Sequence, residues 1–436
     1  MADTDRTAGP TAGAASRTAT GTTAGAVGGT GNEPGTGAGN GTESGTESGT
    51  ESGTESGTGP EDDGRLRRIT AWRRADRILA RPSPDRTLGE QLAELAASAG
   101  TVTDLDLPAD IYGDGVVAEL EERVAELLGT EAAAFFPTGT MAQQVALRCW
   151  AGRTGDPTVA LHPLAHPEVH ERGAFGALSG LRTVHPTSEP RLPTAEEVRG
   201  FAEPFGTLML ELPLRDAGFV LPEWSELTAV VAAARERDAV VHFDGARIWE
   251  CAPHFGRGLP EIAALADSVY VSFYKTLGGL SGAALAGPES LVEEARTWRH
   301  RYGGKLFQQY PAAVSALLGL ARELPRLASY VARAKVVAGA LAEGFTDSAV
   351  PWARVHPEPP HTHQFRVWLP YGTDVLDEAS VRQAEETGVA LFRRWYPAAT
   401  GPPGVSFTEV TVAEAGLEWT ARDVRAAVSE FVKRLV

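Results

Sequence analysis

The strongest constraint on this chain is an alternation. Short β-rich runs fall at 158–161, 181–184, 208–210, 240–243, 269–273 and 283–285, and stretches of helical spacing such as 225–237 and 259–266 separate most of them. Strand, helix, strand in succession builds a mostly parallel sheet with helices on both faces, an α/β architecture. Such sheets take their ligands at the carboxyl ends of the strands. Upstream, Val117, Leu120, Val124, Leu127 and Leu128 have the spacing of one helical face. Residues 69–99 read as helix broken at Pro82 and Pro84. Beyond Leu291 come two or three long helices, and from about Val355 strands at 365–369 and 405–412 mix with helices. The expected organisation is an N-terminal helical segment over 65–105 and a large sheet domain over 106–310. Bridging helices and a smaller C-terminal α/β lobe then fill 311–436.

Residues 1–64 stand apart from this pattern. They are mostly Gly, Thr, Ala, Ser and Glu, and the unit Gly-Thr-Glu-Ser repeats from Gly41 to Gly59. Ten acids against two bases, Arg6 and Arg17, give the stretch −8 of the net charge of −17. A segment like this cannot bury enough apolar area to offset its backbone entropy, and it is expected to be disordered. No repeat has a hydrophobic face to stack, which excludes a solenoid. The acidic balance of the whole chain disfavours nucleic-acid partners, whose phosphates need surplus cation. Cys149 and Cys251 cannot make a disulfide framework and neither sits in a CxxC pair. With no apolar run near the roughly 18–20 residues of a membrane span and no secretory signal at the start, the expectation is a cytoplasmic protein without membrane contact.

Three short segments carry chemistry. Phe136-Pro-Thr-Gly-Thr140 leads into a helix, and Thr138, Gly139 and Thr140 offer backbone N–H groups, hydroxyls and a positive helix end to a phosphate. Taken alone it could equally be a plain N-cap. Val240-Val-His-Phe-Asp244-Gly-Ala-Arg247 places Asp244 at the carboxyl end of a central strand, where it either meets a cation or caps a turn. Ser268-Val-Tyr-Val-Ser-Phe-Tyr-Lys275 ends an apolar strand in a lysine followed by glycines. Such a lysine either snorkels to the surface or is a desolvated amine of the kind that joins carbonyls. The order phosphate loop, acid, lysine is that of a pyridoxal-phosphate enzyme, whose cofactor needs all three.

The stretch 110–315 resembles the threonine aldolase and β-eliminating lyase family of fold-type I pyridoxal-phosphate enzymes. Asp110-Ile-Tyr-Gly-Asp-Gly is similar to the family's aspartate–tyrosine–glycine loop, and Phe135-Phe-Pro-Thr-Gly-Thr-Met to its phosphate loop. Ala165-His-Pro-Glu-Val-His-Glu resembles the helix whose first histidine, here His166, stacks on the cofactor ring. The resemblance implies that Asp244 meets the ring nitrogen, Arg247 grips the substrate carboxylate, and Lys275 is the Schiff-base lysine. It also implies a homodimer or homotetramer in which Tyr112 reaches the neighbouring subunit's cofactor. His166 and His170 lie one helical turn apart, a spacing that also suits zinc, but no third ligand is evident and no metal is expected.

Departures from the family bear on the reaction. No opening strand with a Ser-Asp-Thr stretch occurs in 65–105. The family's Glu-Asn-Thr-His, whose histidine meets the substrate hydroxyl, stands here as Glu211-Leu-Pro-Leu214. Its Gly-Gly-Gly-Met-Arg-Gln becomes Gly303-Gly-Lys-Leu-Phe307-Gln308, without the arginine, and its C-terminal-lobe arginine is replaced near Ser406. Three readings stay open: cleavage of a β-hydroxy-α-amino acid to glycine and an aldehyde, β-elimination from a β-substituted amino acid, and cofactor binding without turnover. Retro-aldol cleavage needs a base for the β-hydroxyl proton. His170 is the candidate that replaces Leu214, since leucine cannot exchange a proton; the alternative is that His170 only packs.

The tail is expected to be dispensable for the chemistry. Protein beginning near Arg65 should keep cofactor absorbance and oligomeric state, checked by spectrophotometry and size-exclusion chromatography.

Overall fold

A computed structural model describes residues 60–80, 86–398 and 402–435. The segment 1–59, expected to be disordered, lies outside the described residues. The first helix, Pro60–Arg74, starts ahead of the boundary expected at Arg65.

The alternation folds as expected. Strand β1 (Arg77–Ile78) precedes β2 (Ala132–Phe136), β3 (Thr158–Ala160), β4 (Arg182–Val184), β5 (Thr207–Glu211), β6 (Val240–Gly245), β7 (Ser268–Ser272) and β8 (Ala283–Gly287). The last seven form one sheet in the order β2-β8-β7-β6-β5-β3-β4. Pairings from β4 through β7 are parallel, while β8 runs antiparallel to both β7 and β2. Strand β2 was not among the expected runs. Its Ala-Ala-Ala-Phe-Phe lacks β-branched residues, and burial against β8 and the helices around it fixes its state.

Both faces of the sheet are covered, so its strands are largely apolar. On one face Val241, Phe243, Val269, Val271 and Phe273 pack with Val124, Leu128 and Leu227 from the helices Val116–Leu128 and Trp224–Arg235. On the other, Tyr270 and Leu285 pack with Ala142 and Val145 of the helix Gly139–Thr154 and with Leu291 of the helix Glu289–Arg301. The two-residue period of β7 thus sends Tyr270 to one side and Val269 and Val271 to the other.

The C-terminal lobe adds β9 (Arg354–His356), β10 (Gln364–Leu369), β11 (Val389–Ala390), β12 (Tyr396–Pro397) and β13 (Ser406–Thr411). Its main sheet is antiparallel in the order β12-β13-β10-β9. The helices Leu327–Asp347, Thr373–Thr387 and Ala421–Val432 enclose a separate core of Phe345, Phe365, Val367, Leu376, Val428 and Phe431. The N-terminal segment is not independent of this lobe. Arg77 of β1 pairs in parallel with Val389 of β11, and Arg67 binds Glu378 and Glu385 at 2.7–3.2 Å. The span 65–105 is therefore divided: its first part packs with the small lobe, while the helix Leu88–Ser98 meets the bridging helix Tyr310–Arg322, whose Arg322 binds Glu94.

One buried charge holds the approach to the first motif. Glu121 accepts hydrogen bonds from Phe135 N at 2.7 Å, Arg299 Nη1 at 3.0 Å and Arg296 Nη2 at 2.8 Å. This ties the helix Val116–Leu128 to β2 and to the helix Glu289–Arg301. Removing the acid leaves Arg299 buried without its counter-charge. Glu121→Ala should destabilise the protein by about 3–5 kcal/mol, read as a lowered urea midpoint.

Candidate active site

Three neighbouring parallel strands end at one place. Glu211 closes β5 and lies in register with Asp244 near the end of β6, which in turn pairs with Tyr270 of β7. Past the end of β7 the chain turns through Phe273 and Tyr274 to Lys275, which is half-buried. Two acids and an amine therefore meet where the sheet cannot supply water.

Burial sets their protonation. The Lys275 ammonium is lowered to about 8 by desolvation and by the nearby Arg247, against the pull of Asp244 and Glu211. Burial raises the Glu211 carboxyl to about 8, and the Asp244 charge adds to it. Glu211 accepts hydrogen bonds from His166 N at 2.8 Å and Arg215 N at 3.3 Å, so it also fixes the start of the histidine helix. Burial likewise raises Asp244, with Lys275 and His166 opposing, and its Oδ1 accepts from Ala246 N at 3.1 Å. An acid so placed is suited to a further cation.

The helix Gly139–Thr154 begins beside them. Thr138 is its N-cap and accepts from Met141 N at 3.2 Å, which leaves the first-turn N–H groups directed out of the helix end. Gly139 is required there: a Cβ would stand 2.0 Å from Tyr270 Oη. Ser272, two residues along β7 and on the same face as Tyr270, has a buried Oγ without a hydrogen-bond partner among the described residues. Helix-end amides, hydroxyls and an unsatisfied Oγ match the needs of a phosphate, and Lys275 with Asp244 matches those of an aldehyde and a ring nitrogen. The residues present fit pyridoxal phosphate.

His166 and His170 lie on the short helix His166–His170 with ring centroids 5.1 Å apart. His166 Nδ1 is 3.2 Å from Glu171 Oε1, and burial lowers its pKa, with Lys275 adding to the effect. His170 Nε2 lies 2.7 Å from Asp216 Oδ2. Arg247 has a buried Nε with no partner and no carboxylate within ion-pair distance among the described residues; its guanidinium lies 5.4 Å from the Phe219 ring. Tyr112 stands on another loop, half exposed, with its ring edge-on to Phe307 at 5.5 Å and Lys305 Nζ 5.7 Å from its centroid. Leu214 is fully buried in the main core, with its N–H donating to Val220 O.

Several residues at this site escaped the sequence reading. Arg215 and Asp216 follow Leu214 directly, and Glu409 and Arg366 come from β13 and β10 of the small lobe. Ser406 is buried and donates to Tyr371 O, and Arg366 on the adjacent strand is the small-lobe guanidinium at this site. A second link to that lobe runs through Thr276, beside Lys275. Its Oγ1 donates to Glu250 Oε2, which lies 2.6 Å from His363 Nε2, and His363 Nδ1 donates to Val412 O at 2.7 Å. Residue types alone signalled none of these, since their partners are distant in sequence.

A parallel sheet with lysine and acids at its strand ends, a phosphate-ready helix start and a small C-terminal lobe define an α/β enzyme of fold-type I. The chain belongs to the beta-eliminating lyase family, which matches residues 106–358. A solved structure from Listeria monocytogenes, assigned as an L-allo-threonine aldolase, is 34% identical with a TM-score of 0.76, covering 85% of this chain and 99% of that one. Low-specificity L-threonine aldolase 1 of Arabidopsis thaliana is 27% identical over 297 residues, 65% of this chain and 80% of the relative. Sphingomonas wittichii serine palmitoyltransferase, at 16% identity and a TM-score of 0.55 over 78% of this chain and 82% of that one, shares the fold alone. No described helix is long and apolar enough to cross a membrane, and no cluster of metal-ligating side chains occurs among the described residues.

The lysine sets a pH dependence. Its neutral, reactive form populates as pH rises through about 8, where a solvated lysine would wait until about 10.5. In cofactor-free protein, reductive methylation of Lys275 with formaldehyde and cyanoborohydride, followed by mass spectrometry, should be half-maximal near pH 8.

Proposed function

We propose that the chain is a pyridoxal-phosphate-dependent aldehyde-lyase that cleaves a β-hydroxy-α-amino acid to glycine and an aldehyde. The observation that carries this reading is the convergence of Lys275, Asp244 and the unpaired Arg247 at the strand ends. The membership in a family of threonine aldolases and β-eliminating lyases supports it. When bound, the cofactor supplies an electron sink for the pair released at the substrate's α-carbon.

The chain's own residues divide the work. Lys275 Nζ is the amine that meets the cofactor aldehyde, kept reactive by its desolvation. Asp244 holds a proton on the ring nitrogen. Thr138, Gly139 and Thr140 hold the phosphate, joined by Ser272 Oγ. His166 covers the ring face and is kept neutral by burial. Arg247 takes the substrate carboxylate in a bidentate pair, which satisfies its orphaned Nε side. His170 accepts the β-hydroxyl proton as the Cα–Cβ bond breaks and the hydroxyl oxygen becomes the aldehyde carbonyl. A proton returned to the α-carbon gives glycine. The half-exposed Tyr112 and Phe307 loop is read as the surface that meets a second copy, and the protein as a cytoplasmic homo-oligomer.

Purified protein supplied with β-hydroxy amino acids should release glycine and an aldehyde; pyruvate and ammonia instead would identify an eliminase. Lys275→Ala should abolish turnover and the cofactor's visible absorbance band. His170→Phe should lower kcat for cleavage by about 10²–10⁴, measured by coupled aldehyde reduction, and near-unchanged turnover would leave His170 as packing.

A further inference from the structure

Leu214 leaves the β-hydroxyl without its familial base, and the side chains around His170 form a connected set that no resemblance assigns. Asp216 Oδ2 lies 2.7 Å from His170 Nε2, and its Oδ1 accepts from Arg366 Nη2 at 2.7 Å. Arg366 Nη1 also donates to the Asp216 backbone carbonyl at 2.8 Å. Glu409 accepts from Arg366 Nη2 at 2.9 Å through one oxygen and from Arg215 Nη2 at 2.9 Å through the other. Arg215 Nη1 completes the set, 3.8 Å from Asp216 Oδ1 and 3.5 Å from His170 Nε2. His170, Arg215 and Asp216 belong to the large domain; Arg366 and Glu409 belong to β10 and β13 of the small lobe.

The chemistry of the contacts fixes a tautomer. Burial alone would raise the Asp216 carboxyl, but its hydrogen bond with His170 and the charges of Arg215 and Arg366 hold it well below the usual carboxylate range. An ionised carboxylate only accepts, and a guanidinium only donates. Asp216 therefore requires the proton of neutral His170 on Nε2, and Nδ1 becomes the acceptor. No hydrogen bond engages Nδ1 among the described residues. A base whose far nitrogen is held by a carboxylate, itself held by a guanidinium, is oriented by its supports rather than by packing alone.

We infer that Asp216 is the positioning residue of the carbon–carbon cleavage, holding His170 so that Nδ1 takes the substrate's β-hydroxyl proton, with Arg366 and Glu409 carrying that alignment from the small lobe. This rests on the aldehyde-lyase reading. The proton moves from the hydroxyl oxygen to Nδ1, the freed O–H pair becomes the second bond of the aldehyde carbonyl, and the Cα–Cβ pair stays with the α-carbon. The charged and titratable groups facing His170 are Asp216 and Arg215 across its Nε2 edge and His166 along its own helix.

The test is Asp216→Asn in the holoenzyme, read three ways. The kcat for cleavage of a β-hydroxy amino acid should fall about 10²-fold or more, with KM changed less than about threefold. Exchange of the glycine α-proton in deuterium oxide, followed by NMR, needs no β-hydroxyl base and should stay within about twofold of wild type. The double variant Asp216→Asn with His170→Phe should be no slower than His170→Phe alone. Cleavage within about threefold of wild type, a double variant clearly slower than His170→Phe, or a parallel loss of cleavage and glycine exchange overturns the assignment. Wild-type protein that forms no glycine and aldehyde overturns the aldehyde-lyase reading and this one with it. Wild-type protein that cleaves normally but tolerates Asp216→Asn overturns this one alone.

Discussion

Buried parallel strands must end somewhere, and in this protein three of them end in charge. Glu211 and Asp244 stand side by side with the Lys275 loop closing over them. Neither acid can rest ionised there without help, since desolvation raises both, and the lysine is lowered by the same burial. The surrounding structure answers this shared cost. The His166 and Arg215 amides point at Glu211, the Ala246 amide points at Asp244, and the start of the Gly139–Thr154 helix faces the same corner. The geometry of the site follows from compensating three groups that a sheet edge has taken out of water.

The two lobes contribute differently. The large domain carries Lys275, Asp244 and the Thr138–Thr140 turn, while Arg366, Glu409 and His363 of the small lobe bind side chains of the large domain. Arg366 and Glu409 reach Asp216 and Arg215, and His363 reaches Glu250 and through it Thr276. The large-domain groups stand at the strand ends, and the small-lobe groups hold side chains of the large domain in place. Residues of the second kind have little signature in sequence because they act through a partner.

This difference explains what could be read before the structure. Asp244, Lys275 and the Thr138–Thr140 turn stood out as candidates because each follows an apolar run. The sheet was legible from the alternation of β-rich runs with helical spacing, except β2, whose alanines carry no strand preference of their own. Asp216 and Arg366 were illegible: a charged residue in a loop and one in an alternating strand look solvated until the fold sets them 2.7 Å apart across 150 positions of chain. The stretch expected as helix over 69–99 holds two helices, Pro60–Arg74 and Leu88–Ser98, with the strand Arg77–Ile78 between them, too short to announce its pairing with Val389–Ala390; Pro82 and Pro84 lie outside the described residues.

That pairing has a temporal consequence. Arg67 meets Glu385 across 318 positions, and Arg77 meets Asp423 across 346. A polypeptide leaves the ribosome from its amino end, and domains tend to fold as they emerge. The large domain has all its strands in hand once Gly287 is out, but the small lobe needs both the first described helix and the last to close. Its early part must wait, undocked and with Trp72 uncovered, until the helix Ala421–Val432 has been made, so the small lobe is the portion of this protein that closes late.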